Sequence, residues 1–310
     1  METSKKTKLI GGVAISISAV LWGLDGIVLT PQLYNLDVGY VVFILHLIPF
    51  LLMNIFFFKE YQKVKIFNTS DYFTLILIAL FGGAIGTISI VKALFLLNFE
   101  QLTLVVLLQK LQPVFAIGLA AIILKEKIQK NFILWASLAI IASYFMTFGF
   151  GFPNFKTGTN TSIAALWALL AAFSFGSSTV FSKKILHKYN FMTATFYRYG
   201  FTVLFMFIYV ILFSKIDQFK ETTNINWIIF LIIAITTGSG AIFLYYYGLK
   251  KVKAIIATIC ELFFPLSAII FDYLINKTFL TPIQWIGAII LIFSILKLNI
   301  SKPRSVMKKF

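Results

Sequence analysis

Residues 253–275 read KAIIATICELFFPLSAIIFDYLI, a run long enough to cross a bilayer, since about 20 apolar residues span the hydrocarbon. The run holds two groups that a passive anchor does not need. Glu261 sits inside it, and a carboxylate within a membrane helix is costly enough to mark a functional position. Pro265 follows four residues later on the same helical face, where it removes one ladder hydrogen bond and lets the helix open. The same design occurs about 150 residues earlier in 101–123, QLTLVVLLQKLQPVFAIGLAAII, with Gln109 four residues before Pro113. Two copies of one membrane unit, each with a polar group and a proline at matching depth, constrain the fold more than any other feature.

Composition agrees. Apolar residues make up 60% of the chain and charged residues 12%, too little polar surface for a soluble domain of this size. The net charge of +16 would suggest nucleic acid in a soluble protein; here it reflects lysines at the cytoplasmic membrane face, and no nucleic-acid partner is expected. Cys260 is the single cysteine, which excludes an intramolecular disulfide and a cysteine metal cluster. The first apolar run follows Lys5, Lys6 and Lys8 and extends to Leu29, too far for a signal peptide.

Hydropathy predicts an all-α polytopic membrane protein of ten transmembrane helices: 9–29, 38–58, 72–96, 101–123, 131–150, 162–182, 191–213, 226–248, 254–275 and 281–298. The lysines test that count. With both termini cytoplasmic, the inner loops carry Lys59, Lys63, Lys65, Lys125, Lys127, Lys130, Lys183, Lys184, Lys188, Lys250, Lys251 and Lys253, whereas the outer side has Lys156, Lys215, Lys220 and Lys277. The asymmetry recurs at every loop, as the positive-inside rule requires of a multi-pass protein of the inner, cytoplasmic membrane. Gly, Pro, Asn and Thr in 151–161 mark a linker between a first unit, 1–150, and a second, 162–310, which ends in a basic tail.

The two units overlay at a near-constant spacing. SAVLWGLDG (18–26) lies over AAFSFGSST (171–179), placing Gly23 on Gly176; GGAIG (82–86) lies near TTGSG (236–240); Pro113 lies on Pro265. Five helices per unit is an odd number, so the second copy is inverted in the membrane. Inverted repeats are a transporter architecture, with the substrate near the midplane between the repeats.

The residues Leu21, Trp22 and Gly23, the pair Gln112–Pro113, Glu126 thirteen residues after that proline, Pro265, and Gln284 with Gly287 together resemble the drug/metabolite transporter superfamily in its ten-helix form, built from two EamA-type repeats. The likeness covers about residues 9–299. Ser137 stands where the repeat usually has glycine, and Thr278 where it usually has glutamate. The resemblance implies a secondary transporter of small polar metabolites, exporting amino acids or related compounds by alternating access. Uptake of a cationic metabolite such as choline or S-adenosylmethionine is the alternative within transport. A non-transporting membrane scaffold is the alternative of another class, and the inverted repeat argues against it.

No nucleotide-binding, hydrolase or metalloprotease motif is present, and His46 and His187 are the only histidines, so neither an enzyme, a cofactor nor a metal site is expected. The intramembrane polar residues carry the information. Asp25, His46, Lys92 and Asp272 fall toward the outer side, and Glu261, Lys110 and Arg198 nearer the middle. Opposite charges at one depth can pair, which permits Glu261 with Arg198 or Lys110 and Asp25 with Lys92. Glu261 either fixes helix packing through such a pair or binds a cationic substrate group or a coupling proton. Trp22, beside Gly23 and Asp25, and the run Tyr245–Tyr247 provide an aromatic wall for a cation or a ring. The substrate site is therefore assigned to Trp22, Asp25, Gln109, Lys110, Arg198, Tyr245, Tyr246 and Glu261, with a small-molecule substrate, the lipid bilayer and protons as partners. Gly82, Gly83 and Gly86 make the third helix the best place for a flexible point.

Overall fold

The computed structural model describes residues 5–97, 105, 108–151, 159–276 and 281–300, and these fold into helices with no strand among them. Among the described residues ten helices follow in chain order: α1 (Lys5–Leu33), α2 (Val38–Phe57), α3 (Thr69–Leu96), α4 (Gln112–Ile123) and α5 (Lys130–Phe148). The second five are α6 (Thr159–Leu186), α7 (Phe191–Leu212), α8 (Asn224–Lys251), α9 in two pieces (Ala254–Cys260 and Phe263–Asn276) and α10 (Pro282–Ile300). Helices α1, α2, α3, α6, α7 and α8 are long and apolar enough to cross a membrane alone, while α4, α5 and α10 are shorter apolar helices. The chain is thus an all-helical polytopic membrane protein. Most of the linker and the C-terminal tail lie outside the described residues.

Local chemistry sets the helix starts, and it repeats. Asp37 accepts from the Gly39 and Tyr40 amides at the start of α2, and Asn190 accepts from the Thr193 amide at the start of α7, one repeat later. Asn68 and Asp71 form a capping box on α3; Thr223 and Asn226 form the matching box on α8. Each cap satisfies amides that hydrocarbon would leave unbonded.

Packing follows a two-fold pattern. α2 packs on its own mate α7, and α5 on its own mate α10. The contacts of α1 with α8 and α9 are mirrored by those of α6 with α3 and α4. Glycine permits the closest of these. A Cβ at Gly23 would strike Ser267 and come within 3.0 Å of the Ala268 amide nitrogen, while one at Gly176 would stand 3.1 Å from the Ala116 amide. Position 268 overlays 116 as 176 overlays 23, so one glycine contact is used twice, once in each direction through the membrane.

The helices that approach the centre are irregular. α3 widens into a π-turn at Ala79–Ile85 and α8 into one at Ala234–Gly238, the two glycine-bearing segments that overlay in sequence. α1 has a third at Asp25–Leu29, tightening to a 3₁₀ turn at Thr30–Leu33. Such turns break the ladder where function needs backbone or side chains redirected. Outward faces are apolar, as lipid requires: Phe56 is 74% exposed and Ile122 75%.

Candidate functional site

Both proline-bearing helices break at the same level. α9 stops at Cys260, turns through Glu261 and Leu262, and resumes at Phe263. α4 is preceded by helical residues 108–109 and a turn at Lys110–Leu111. Pro265 has no amide to offer the Glu261 carbonyl, so the Phe264 amide fills that place at 2.9 Å. The break aims the Glu261 side chain across the bundle.

There the carboxylate meets neutral donors from three other helices. Tyr245 of α8 donates to Oε1 at 2.7 Å, Thr179 of α6 to the same oxygen at 3.5 Å, and Gln112 of α4 donates from Nε2 to Oε2. Tyr245 and Thr179 also share a hydrogen bond of 2.7 Å. Trp22 of α1 lies against the Tyr245 ring, centroids 5.4 Å apart and planes tilted by 56°. Five helices, two from the first unit and three from the second, therefore converge on one carboxylate beside an aromatic wall. Glu261 and Trp22 keep part of their surface open, while Tyr245 and Thr179 are buried against the core.

The predicted site residues divide. Trp22, Tyr245 and Glu261 come together. Tyr246 lies one layer behind, with its hydroxyl on Ser182 at 2.7 Å, and Tyr247 turns outward, 36% exposed, beneath the Lys251 ammonium. Asp25 opens the π-turn of α1 and is not among the hydrogen-bonding partners of Glu261. Gln109 does not reach Glu261; its buried Nε2 has no hydrogen-bond partner, and Gln112 takes the place expected of it. The physical reason is the turn at Lys110–Leu111, which shifts the face presented after residue 109, so spacing from Pro113 does not identify the inward glutamine.

The ion pairs that depth permits do not form among the described residues either. Arg198 donates through Nη1 to the Tyr246 hydroxyl at 3.1 Å and through Nη2 to the Gly82 carbonyl at 2.7 Å, pinning the π-turn of α3 to α8. Lys110 donates to the Ser143 carbonyl at 2.6 Å. Lys92 lies over the Trp167 ring at 4.8 Å. In each case a carbonyl, a hydroxyl or a ring within the bundle engages the cation. Ion pairs among the described residues lie instead at the loops: Asp71–Lys188, Asp37–Lys215 and Asp217–Lys220. No group of three or more metal-ligating residues occurs among them. The side chain of Asp272 lies outside what is described.

Three residues of the site were not assigned to it from sequence, although Gln112 and Glu126 carry the family resemblance. Gln112 and Thr179 touch Glu261 directly; both lie in segments that overlay between the units, which is the signal that marks them. Glu126 accepts from the Ala254 and Ile255 amides at 2.9 and 3.1 Å, so a first-unit loop caps the half-helix that carries Glu261.

Comparison with known proteins places this geometry. A family model described as the EamA-like transporter family matches residues 9–148 and 162–300. The riboflavin transporter ImpX of Fusobacterium nucleatum is 51% identical over 290 residues, 93% of this chain and 97% of that protein. The uncharacterized transporter sll1164 of Synechocystis is 29% identical over 81% of this chain and 73% of its own length. A crystal structure with 14% identity superposes with a TM-score of 0.67 over 94% of this chain and 96% of the other, a likeness of fold alone.

Proposed function

This chain belongs to the EamA-like transporter family, and from that premise we propose that it carries riboflavin, or a flavin close to it, across the membrane. The observation that carries the reading is the pairing of the Trp22–Tyr245 wall with the Glu261–Gln112 hydrogen-bonding edge. Riboflavin is a flat, three-ringed heterocycle with an imide edge and a polyhydroxyl side chain. An aromatic wall stacks the ring face, and stacked pairs add about 0.5–1.5 kcal/mol beyond the area they bury. A carboxylate and a carboxamide side by side accept from and donate to the imide or the hydroxyls.

Amino-acid export, the substrate class implied by the superfamily resemblance, gives way to this reading. The near relative of known name carries riboflavin, and a wall of two large rings is more than an amino-acid headgroup needs. Alternating access supplies the mechanism: units 1–150 and 162–310, joined by the 151–161 linker, rock about the broken helices, and the substrate exchanges for the Tyr245, Thr179 and Gln112 contacts of Glu261. The lysine distribution supports a multi-pass protein of the cytoplasmic membrane with both termini inside.

Flavin fluorescence gives a direct test. Riboflavin titrated into purified protein should be quenched as it stacks on Trp22, and proteoliposomes should take up riboflavin but not leucine. Uptake of leucine without riboflavin would end the proposal.

A further inference from the structure

The link between α2 and α3 has a winding of its own. The twenty residues of α2 rise about 30 Å, enough for the hydrocarbon, and the α ladder stops at Phe57, where φ is −122°. The next nine residues, Phe58–Ile66, form a 3₁₀ helix, FKEYQKVKI. A 3₁₀ helix repeats every three residues, so i and i+3 lie one above the other. One face therefore carries Phe58, Tyr61 and Val64, a second Lys59, Gln62 and Lys65, and the third Glu60, Lys63 and Ile66. On an α-helix Lys65 would instead stand over Tyr61, and the apolar and basic sets would mix. The third face is turned to the protein at Glu60. Its carboxylate accepts from the Thr193 hydroxyl of α7 at 2.7 Å, and its carbonyl accepts from the Tyr197 hydroxyl at 2.8 Å. Tyr61 donates to Asn54 of α2 at 2.7 Å, and Tyr72 of α3 donates to the Val64 carbonyl at 2.9 Å. The helix is thus braced on three membrane helices, and its other two faces are left outside. Phe58 is 59% exposed, Tyr61 49% and Val64 41%, and Lys59, Gln62 and Lys65 are exposed beside them.

A braced helix with an apolar face beside a basic one, at the end of a membrane span, fits the boundary between acyl chains and headgroups. Apolar side chains enter the chains there, while lysine stems carry their ammonium groups to the phosphates. Exposed Ile55 and Phe56 continue the apolar face into the lipid-facing side of α2. The basic face selects among lipids. Glu60 is engaged by Thr193, and among the described residues no ion pair involves Lys59, Lys63 or Lys65. Their charge is left for a headgroup, and a zwitterionic headgroup brings an ammonium of its own whereas an anionic one does not. We propose that Phe58–Ile66 is a lipid-binding strut of the inner leaflet, with Phe58, Tyr61 and Val64 among the acyl chains and Lys59 and Lys65 on the phosphates of anionic phospholipids. The strut also joins the two units, since Glu60 belongs to the first and Thr193 to the second. Anionic lipid bound to it favours the arrangement in which that end of the molecule is closed. This coupling and the choice of leaflet rest on the transporter and lysine readings above; the lipid site does not.

The test uses the full-length Cys260→Ala protein with a fluorophore on Gln62→Cys, in phosphatidylcholine vesicles that receive nitroxide-labelled phosphatidylglycerol or nitroxide-labelled phosphatidylcholine. Half-quenching should need at least about fivefold less of the phosphatidylglycerol, the factor that one lysine contributes at an anionic surface. Lys59→Gln together with Lys65→Gln should abolish that preference, and Lys59→Arg together with Lys65→Arg should keep it. Equal quenching by the two lipids, or a preference that survives the glutamine pair, overturns the anionic-lipid site; the comparison of lipids needs neither pair to fold. Spin labels at Phe58→Cys, Tyr61→Cys and Val64→Cys should relax with oxygen, which enters the acyl chains, and those at Lys59→Cys and Lys65→Cys with an aqueous nickel chelate. Accessibility without a period of three overturns the placement of the helix. Ala194, buried next to Thr193, reports the coupling. A maleimide should label Ala194→Cys about fivefold more slowly in vesicles of equal parts phosphatidylglycerol and phosphatidylcholine than in phosphatidylcholine alone. Equal rates overturn the coupling and leave the lipid site standing. Lipid preference in protein that fails to quench riboflavin removes the flavin reading alone.

Discussion

Glu261 is the residue at which function and packing make opposite predictions. Its hydrogen-bond partners are neutral, so its charge is not spent on a permanent ion pair that holds helices together. Glu261→Gln keeps the size and one acceptor oxygen. The variant should fold with nearly unchanged thermal stability, while riboflavin affinity falls tenfold to a hundredfold, as losing a hydrogen bond to a charged group of about 1.5–3 kcal/mol implies. An unchanged quenching isotherm would make Glu261 a packing residue. Trp22→Ala probes the other side of the cluster. Trp22 keeps part of its surface open, so removing its ring should cost binding rather than the fold, with quenching reduced in proportion. Collapse of the protein on size exclusion would show that the ring is core instead.

At the scale of elements, α1 against α9 and α6 against α4 are one contact used twice. A side chain at Gly23 has no space, since its Cβ would meet Ser267, and one at Gly176 would press on the Gln112 carbonyl at 3.0 Å. Gly23→Val and Gly176→Val should each destabilise by about 1–3 kcal/mol, the usual cost of overpacking, whereas Gly118→Val, with nothing within 4 Å, should be neutral. Glu126→Ala should cost about 1 kcal/mol by uncapping α9, and should loosen flavin binding although it touches no substrate. Thermal unfolding of the four variants ranks them. The same elements explain what sequence could tell. Apolar run lengths, loop lysines and the glycine and proline overlays gave the helices and the repeat, because lipid and backbone hydrogen bonding dictate those patterns. They also put Trp22, Tyr245 and Glu261 in one site. They did not give the partners. Counting along a regular helix carries a face only as far as the ladder is intact, and it is broken at Lys110–Leu111, at Glu261–Leu262 and in three π-turns. Gln112 thus replaces Gln109, and the expected ion pairs dissolve into bonds with carbonyls and rings that no pairing of opposite charges foresees.

For the whole molecule, the two units are tied at both ends by contacts that belong to opposite loops. At one end Asp71 of α3 binds Lys188 at 2.6 Å and Tyr189 at 2.8 Å, and Glu60 accepts from Thr193 at 2.7 Å. At the other, Asp37 binds Lys215 at 3.0 Å, Tyr40 meets Thr222 at 2.8 Å, and Asn35 and Asn226 share a hydrogen bond of 3.2 Å. The first tie joins the α2–α3 loop region to the α6–α7 turn, and the second joins the α1–α2 turn to the α7–α8 loop, so each is the repeat image of the other. The Asp37 hydrogen bond and charge hold the Lys215 amine above the usual lysine range. A raised lysine contributes its stability below its ordinary value and loses it only as pH climbs through the raised one, so this tie stays constant across neutral pH. Alternating access requires the ties to open in turn, never together. Cysteines introduced as Asp71→Cys with Lys188→Cys, or as Asp37→Cys with Lys215→Cys, and bridged by a short thiol reagent in a Cys260→Ala background, should each stop riboflavin flux, and reduction of the bridge should restore it. Single cysteines at Asp217→Cys and Lys127→Cys orient the same molecule: an impermeant maleimide applied to intact cells should label the first alone. Flux that continues through both bridged proteins would mean that the units do not rock, and that the substrate passes by a route that leaves these ends closed.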